Sequence, residues 1–283
     1  MSVAVSKRPS RFRPSRTVLH LVLAAIVVIS LFPFFWMLVT SVKPDADIFT
    51  RTPEFVPTNP IFSRYETLFT GNVPRQFLNS LIVAASVTVI TGLVALLGGY
   101  ALARFKLPLK RHLLIVILSI QMLPQTVLVI PLFVMLKNTD LLSTYEGLIL
   151  SHLALTVGLS TYMLRSFYLD IPVELEESAM VDGANRFTAA RLIVFPLVWP
   201  GLAASSIYAF ITSWNELMFS ASFMQQSDKE TLPVALQQYF SSYFSDWGGV
   251  MAASVIFTVP VILFFLLVQK RLMQGMVAGA VKG

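Results

Sequence analysis

The side chains best equipped for chemistry gather between positions 171 and 196, in the run IPVELEESAMVDGANRFTAARLIVFP. This run carries Glu174, Glu176, Glu177, Asp182, Arg186 and Arg191, between flanks that are long and apolar. Nothing elsewhere in the chain turns these carboxylates into a catalytic set. The chain has no cysteine, which removes disulfides, thiolate metal sites and thiol nucleophiles together. His20, His112 and His152 stand far apart, without metal-ligand spacing. No G-x(4)-G-K-[ST] phosphate loop, no H-E-x-x-H and no G-x-S-x-G occurs, so the chain is expected to hold no ATP, metal or other cofactor and to be no enzyme. An acid that does not react can still recognise, because a charged pair desolvated on binding fixes register and partner choice.

The elements that must position these acids follow from the punctuation around them. Pro172 suits a first helical turn, where its missing N–H costs nothing. The acids after it complement the positive end of the helix dipole. Gly183 is a natural C-terminal stop, and Asn185 can cap a second short helix running to Phe195. Leu175, Ala179 and Met180 share one face and leave the acids on the others. The expected product is a compact helical knob. On pattern alone it is a surface hairpin between two spanning helices.

The flanks define the class. The 283 residues are 55% hydrophobic and 13% charged, against about 25% charged in soluble domains. An all-α integral membrane protein is expected. The net charge of +6 sits beside the apolar runs, as the positive-inside rule requires, and not as a nucleic-acid surface. Residues 1–16 form a basic arm without acids, and a nucleic-acid tail is the rival reading of it. Six spans are expected at 17–42, 76–103, 112–136, 147–164, 196–223 and 247–269, the first retained and not removed as a signal peptide. Basic turns then put both termini, and a tail at 272–283, in the cytoplasm.

Within the spans, Gly92, Gly98 and Gly99 permit close helix packing. Pro124 and Pro131, beside Gln121 and Gln125, interrupt the third span and free backbone groups that neighbours or a water-filled cavity must satisfy. The fourth carries a polar stripe of Ser151, His152, Thr156, Ser160 and Thr161, open to interhelical bonding or to a substrate path.

The order of residue types in the acidic run resembles the signature loop of ABC importer permeases, E-A-A-x(3)-G-x(9)-I-x-L-P. Glu177, Ala179, Gly183, Ile193 and Pro196 fall at its positions, with Ser178 and Phe195 as conservative departures. The run Asp182-Gly183-Ala184 is similar to the sugar-importer branch. Likeness to its smaller maltose-type permease continues through Asn79-Ser80-Leu81, Gly99-Tyr100-Ala101-Leu102-Ala103-Arg104-Phe105, Trp214-Asn215-Glu216, Thr231-Leu232-Pro233-Val234 and the closing Gly279-Ala280-Val281-Lys282-Gly283.

The resemblance implies a type I importer permease fold with 171–195 as a coupling loop, docked in a cleft of a separate ATPase that holds ATP and Mg. It implies a heterodimer with a second permease, an ATPase dimer, an extracytoplasmic sugar-binding protein and a bacterial-type inner membrane. Glu177 would meet a basic group of the ATPase, and the tail at Lys282 and Gly283 would reach the ATPase interface. Thr231, Leu232 and Pro233 would touch the binding protein. Trp214, Asn215 and Glu216 are expected to line a substrate path, Trp214 stacking on a sugar; interfacial anchoring is the other reading. The cargo would be a sugar such as maltose, maltodextrin or trehalose, or a polyol. A self-contained secondary transporter is the alternative, and it calls for interrupted helices in matching halves.

Overall fold

The computed structural model describes residues 16–238 and 246–280, and every regular element among them is helical. Helix α1, Arg16–Ser41, is an apolar rod without charge beyond Arg16, and its buried residues are confined to its last turn, so most of its surface suits lipid. Short helices α2 (Asp45–Ile48) and α3 (Ser63–Thr70) follow. Arg64 of α3 gathers this connection: its guanidinium donates to the Ser41 carbonyl at 3.2 Å and the Lys43 carbonyl at 2.5 Å, and pairs with Asp45.

Helix α4, Val73–Arg104, is the central rod, with Pro74 in its first turn. Its 32 residues rise about 48 Å, well beyond the ~30 Å of hydrocarbon. It packs along α7 (Tyr145–Leu169) and α11 (Trp199–Trp214). Gly99 makes the α4–α7 approach possible, since a Cβ there would lie 2.8 Å from the Leu164 Cβ.

Four helices are long and apolar enough to cross a membrane: α1, α4, α7 and residues 247–270 of α14 (Trp247–Ala280). Two further pairs make six spans when each bent pair is one. In the first, α5 (Lys110–Ile120) meets α6 (Gln125–Asn138) at 98°, where Pro124 disfavours helix in the residue before it. In the second, a segment at 186–197 meets α11 at 70°. The second half of the chain thus has a bend that its sequence did not announce. It lies at the end of the bundle that carries the acidic loop, between Pro196 and Pro200, and not within the apolar rod.

The fifth span also ends earlier than the expected 223. Helix α11 stops at Trp214, and a separate α12, Met218–Phe223, follows. The reason is Glu216, whose carboxylate accepts from the Phe219 N–H at 2.7 Å and the Ser220 N–H at 3.0 Å. A side chain that takes these amides begins a new helix instead of continuing the old one. The last short helix, α13, spans Leu232–Gln238.

Candidate functional site

The acidic run folds into α8 (Glu174–Val181), α9 (Arg186–Ala189), a π-helical turn at Ala190–Val194 and α10 (Phe195–Leu197). Gly183 has φ +93, a region that glycine enters without steric cost. The Ala184 N–H donates to the Ala179 carbonyl at 3.0 Å and the Gly183 N–H to the Met180 carbonyl at 3.1 Å. This pair of bonds is a Schellman stop. Asn185 then caps α9, its side-chain oxygen accepting from the Thr188 N–H at 2.8 Å. Pro172, Gly183 and Asn185 thus build the bend between two short helices.

One acid turns inward. Glu176 is 3% exposed and accepts from the Tyr100 hydroxyl at 2.8 Å and from the Arg104 Nε. Arg104 also donates to the Ile171 carbonyl at 2.9 Å. The face assignment therefore needs correction: Leu175 is exposed and Glu176 faces the bundle. The cause is Arg104 at the end of α4, a buried cation that outcompetes an apolar contact for the inward position. Pairing of the Tyr100–Arg104 run with the acid run is a contact that neither stretch reveals alone. Phe195, the aromatic departure from the signature, sits edge-on to Tyr100 at 5.9 Å, and Arg186 lies over the Phe105 ring at 5.2 Å. Together these contacts fasten the loop to α4.

The outward side carries Glu177 and Asp182, with Gly183 and Pro196 also exposed. Ala179, Ala184 and Ile193 are half-buried beneath them. The same loop exposes Val181, at 87%, and Phe187, at 64%. Exposed apolar side chains on the same short loop as exposed carboxylates have the composition of a contact surface.

At the opposite end of the bundle, two expectations change. Thr231, Leu232 and Pro233 are interior. The Leu232 N–H donates to the Ser80 hydroxyl at 2.8 Å, and Asn79 donates to the carbonyls of Asp228 and Glu230 at 3.0 and 2.8 Å. These bonds anchor the loop to α4 with Thr231, Leu232 and Pro233 buried; among its described residues, Gln225, Gln226, Ser227, Asp228 and Gln237 are the exposed ones. Trp214 is likewise corrected. It is 1% exposed, stacked on Phe210 at 5.7 Å, with its indole N–H donating to the Phe257 carbonyl at 3.1 Å. An indole closed in on these sides has no face left for a sugar.

Asn215 is exposed, in a cavity of 580 Å³, while Glu216 is 5% exposed at its wall. His152 holds Glu216 from α7: its Nε2 is 3.1 Å from the carboxylate and its Nδ1 is 2.8 Å from the Ser213 hydroxyl. Thr156 bonds to Thr91 at 2.8 Å, so His152 and Thr156 of the polar stripe serve interhelical bonding, while Ser151 bonds back to the Gly147 carbonyl of its own helix. Lys282 and Gly283 lie outside the described residues, as do residues 1–15 of the basic arm. Among the described residues, no group of three or more His, Asp or Glu is placed to hold a metal ion.

A helical bundle with broken spans and a fastened acidic loop at one end is the architecture of a multi-pass transport permease. The comparisons agree. Residues 95–277 match the model of the family described as binding-protein-dependent transport system inner membrane component. The chain is 35% identical to the diacetylchitobiose uptake system permease protein DasC of Streptomyces coelicolor, over 93% of this chain and 96% of that one. It is 34% identical to the sulfoquinovosyl glycerol transport system permease protein SmoH of Agrobacterium fabrum, over 100% and 99%. The fold is similar to a crystal structure of a bacterial ABC transporter involved in the import of the acidic polysaccharide alginate, with TM-score 0.75, 21% identity, and coverage of 92% and 98%. The chain belongs to the binding-protein-dependent transport system inner membrane component family, and its fold is that of a type I ABC importer permease.

Proposed function

We propose that this chain is one permease subunit of an ATP-driven importer that passes a sugar from an extracytoplasmic binding protein into the cytoplasm. The relatives' sugar cargoes support the carbohydrate class. In this reading the subunit pairs with a second permease in a bacterial-type inner membrane, with both termini in the cytoplasm. A separate ATPase pair supplies ATP and Mg and docks on the knob at 171–195, with the tail at Lys282 and Gly283 beside it.

The observation that carries the reading is the division of labour in the knob. Glu176 is held by Arg104 and Tyr100, while Glu177 and Asp182 are exposed on the same loop as the exposed Val181 and Phe187. A fastened support beneath a charged and apolar face suits a surface that receives force from a partner. Gly183 sets the tilt of that face.

The test is uptake of labelled maltose, trehalose or N,N′-diacetylchitobiose by proteoliposomes holding the copurified complex, with binding protein outside and ATP inside. Uptake is expected to follow ATP and to ignore proton and sodium ionophores. Uptake that persists without ATP and collapses with an ionophore would assign the chain to secondary transport.

A further inference from the structure

The cavity beside Asn215 has a chemical bias that the sequence reading did not contain. Its polar lining comes from four helices and a turn: Gln125 at the start of α6, Thr212 of α11, Asn215 and Glu216 in the turn, Ser222 of α12 and Gln237 of α13. The other three lining residues are apolar. At 580 Å³ it falls within the size range of small-molecule sites. Gln125 and Gln237 had no place in the expected substrate path; the break after Pro124 and the fold of α13 bring them to it.

Gln125, Asn215, Ser222 and Gln237 make no side-chain hydrogen bond to another described residue, so their amides and hydroxyl are available to a ligand. Among the described residues, the sole ionisable lining group is Glu216. Its two oxygens are occupied by the amides of Phe219 and Ser220, the Ser220 hydroxyl and His152. Among the described residues, no lysine or arginine lines the cavity. Amides and a hydroxyl match sugar hydroxyls in both donor and acceptor roles. An anionic ligand would find a carboxylate and no counter-charge in a partly desolvated place, which is costly.

On the importer reading above, we infer that this cavity is a solute-contact site of this subunit, taking uncharged sugars and rejecting carboxylated or sulfonated ones. The relatives' cargoes include both kinds, so membership of the family does not decide the matter. The apolar lining residues would face the C–H side of the sugar ring, and the four uncommitted polar side chains its hydroxyls.

The test is saturation-transfer NMR on the detergent-solubilised permease–ATPase complex, with binding protein omitted so that it does no sorting. The neutral probes are maltose, trehalose and N,N′-diacetylchitobiose; the anionic ones are sulfoquinovosyl glycerol and an alginate trisaccharide. At least one neutral probe is expected to bind, with each anionic probe at least ~10-fold weaker. Asn215→Ala and Gln125→Ala should each weaken the neutral probe about 2- to 10-fold, the loss of one hydrogen bond. Asn215→Lys should admit the anionic probes. Equal binding of neutral and anionic probes, no binding of any neutral probe, or indifference to all three substitutions overturns the site. ATPase copurification and ATP-driven uptake are read on the same preparations. Loss of the importer reading shows there, and loss of this site shows with the ATPase still present.

Discussion

At the scale of single residues, the two adjacent acids of α8 separate support from contact. Glu176 and Arg104 have side chains 4% and 5% exposed. Breaking such a pair by removing one partner strands the other charge, at about 3–5 kcal/mol. Glu176→Gln should therefore lower the thermal midpoint of the solubilised protein and loosen the knob, read as faster proteolysis between residues 171 and 196. Combining Glu176→Arg with Arg104→Glu should recover part of the loss. A double variant no better than the singles would mean that the pair does not hold the loop. Gly183 presents a different case. A Cβ there meets nothing within 4 Å, so only its φ of +93 resists substitution. Gly183→Val should cost about 1–2 kcal/mol through the backbone alone and reduce ATPase stimulation without removing a charge. Gly183→Asn should be milder.

At the scale of elements, the bends decide what the spans present. Glu216 ends one helix and starts another, and His152 secures it from α7. Glu216→Ala should remove the cap of α12 and leave the His152 Nε2 without its partner, at about 1–3 kcal/mol, with neutral-sugar uptake falling in proteoliposomes. Unchanged melting and uptake would deny Glu216 that bracing role. This is also the level at which legibility in the sequence divides. Pro124 announced the break of the third span because proline acts locally, through its own ring. Gly183 and Asn185 announced the bend of the knob for the same reason. The inward turn of Glu176 was not legible, because its partner lies 72 residues away on another helix. The resemblance sets Thr231, Leu232 and Pro233 against a binding protein, whereas their burial depends on Ser80, 152 residues distant from Leu232. Trp214 misled for a related reason, since one aromatic beside two polar residues looks the same whether it faces a cavity or a core.

At the scale of the molecule, the fold separates a fastened acidic knob at one end from a polar cavity near the other, with α4 and α7 running between them. Orientation can be tested directly because the chain has no cysteine of its own. Ser178 and Ser227 are both exposed, at opposite ends. In intact cells, cysteine at 227 should react with a membrane-impermeant maleimide and cysteine at 178 only after permeabilisation. The reverse pattern would invert the topology. The central claim is that the outward face of the knob receives the ATPase, and copurification measures it. The tagged chain should bring down its ATPase. Glu177→Lys should lower that recovery at least ~25-fold by setting like charges together in a desolvated contact, while the protein still inserts and melts as wild type. Full ATPase recovery and normal sugar uptake with Glu177→Lys would contradict the account and leave the knob a connector between two spans.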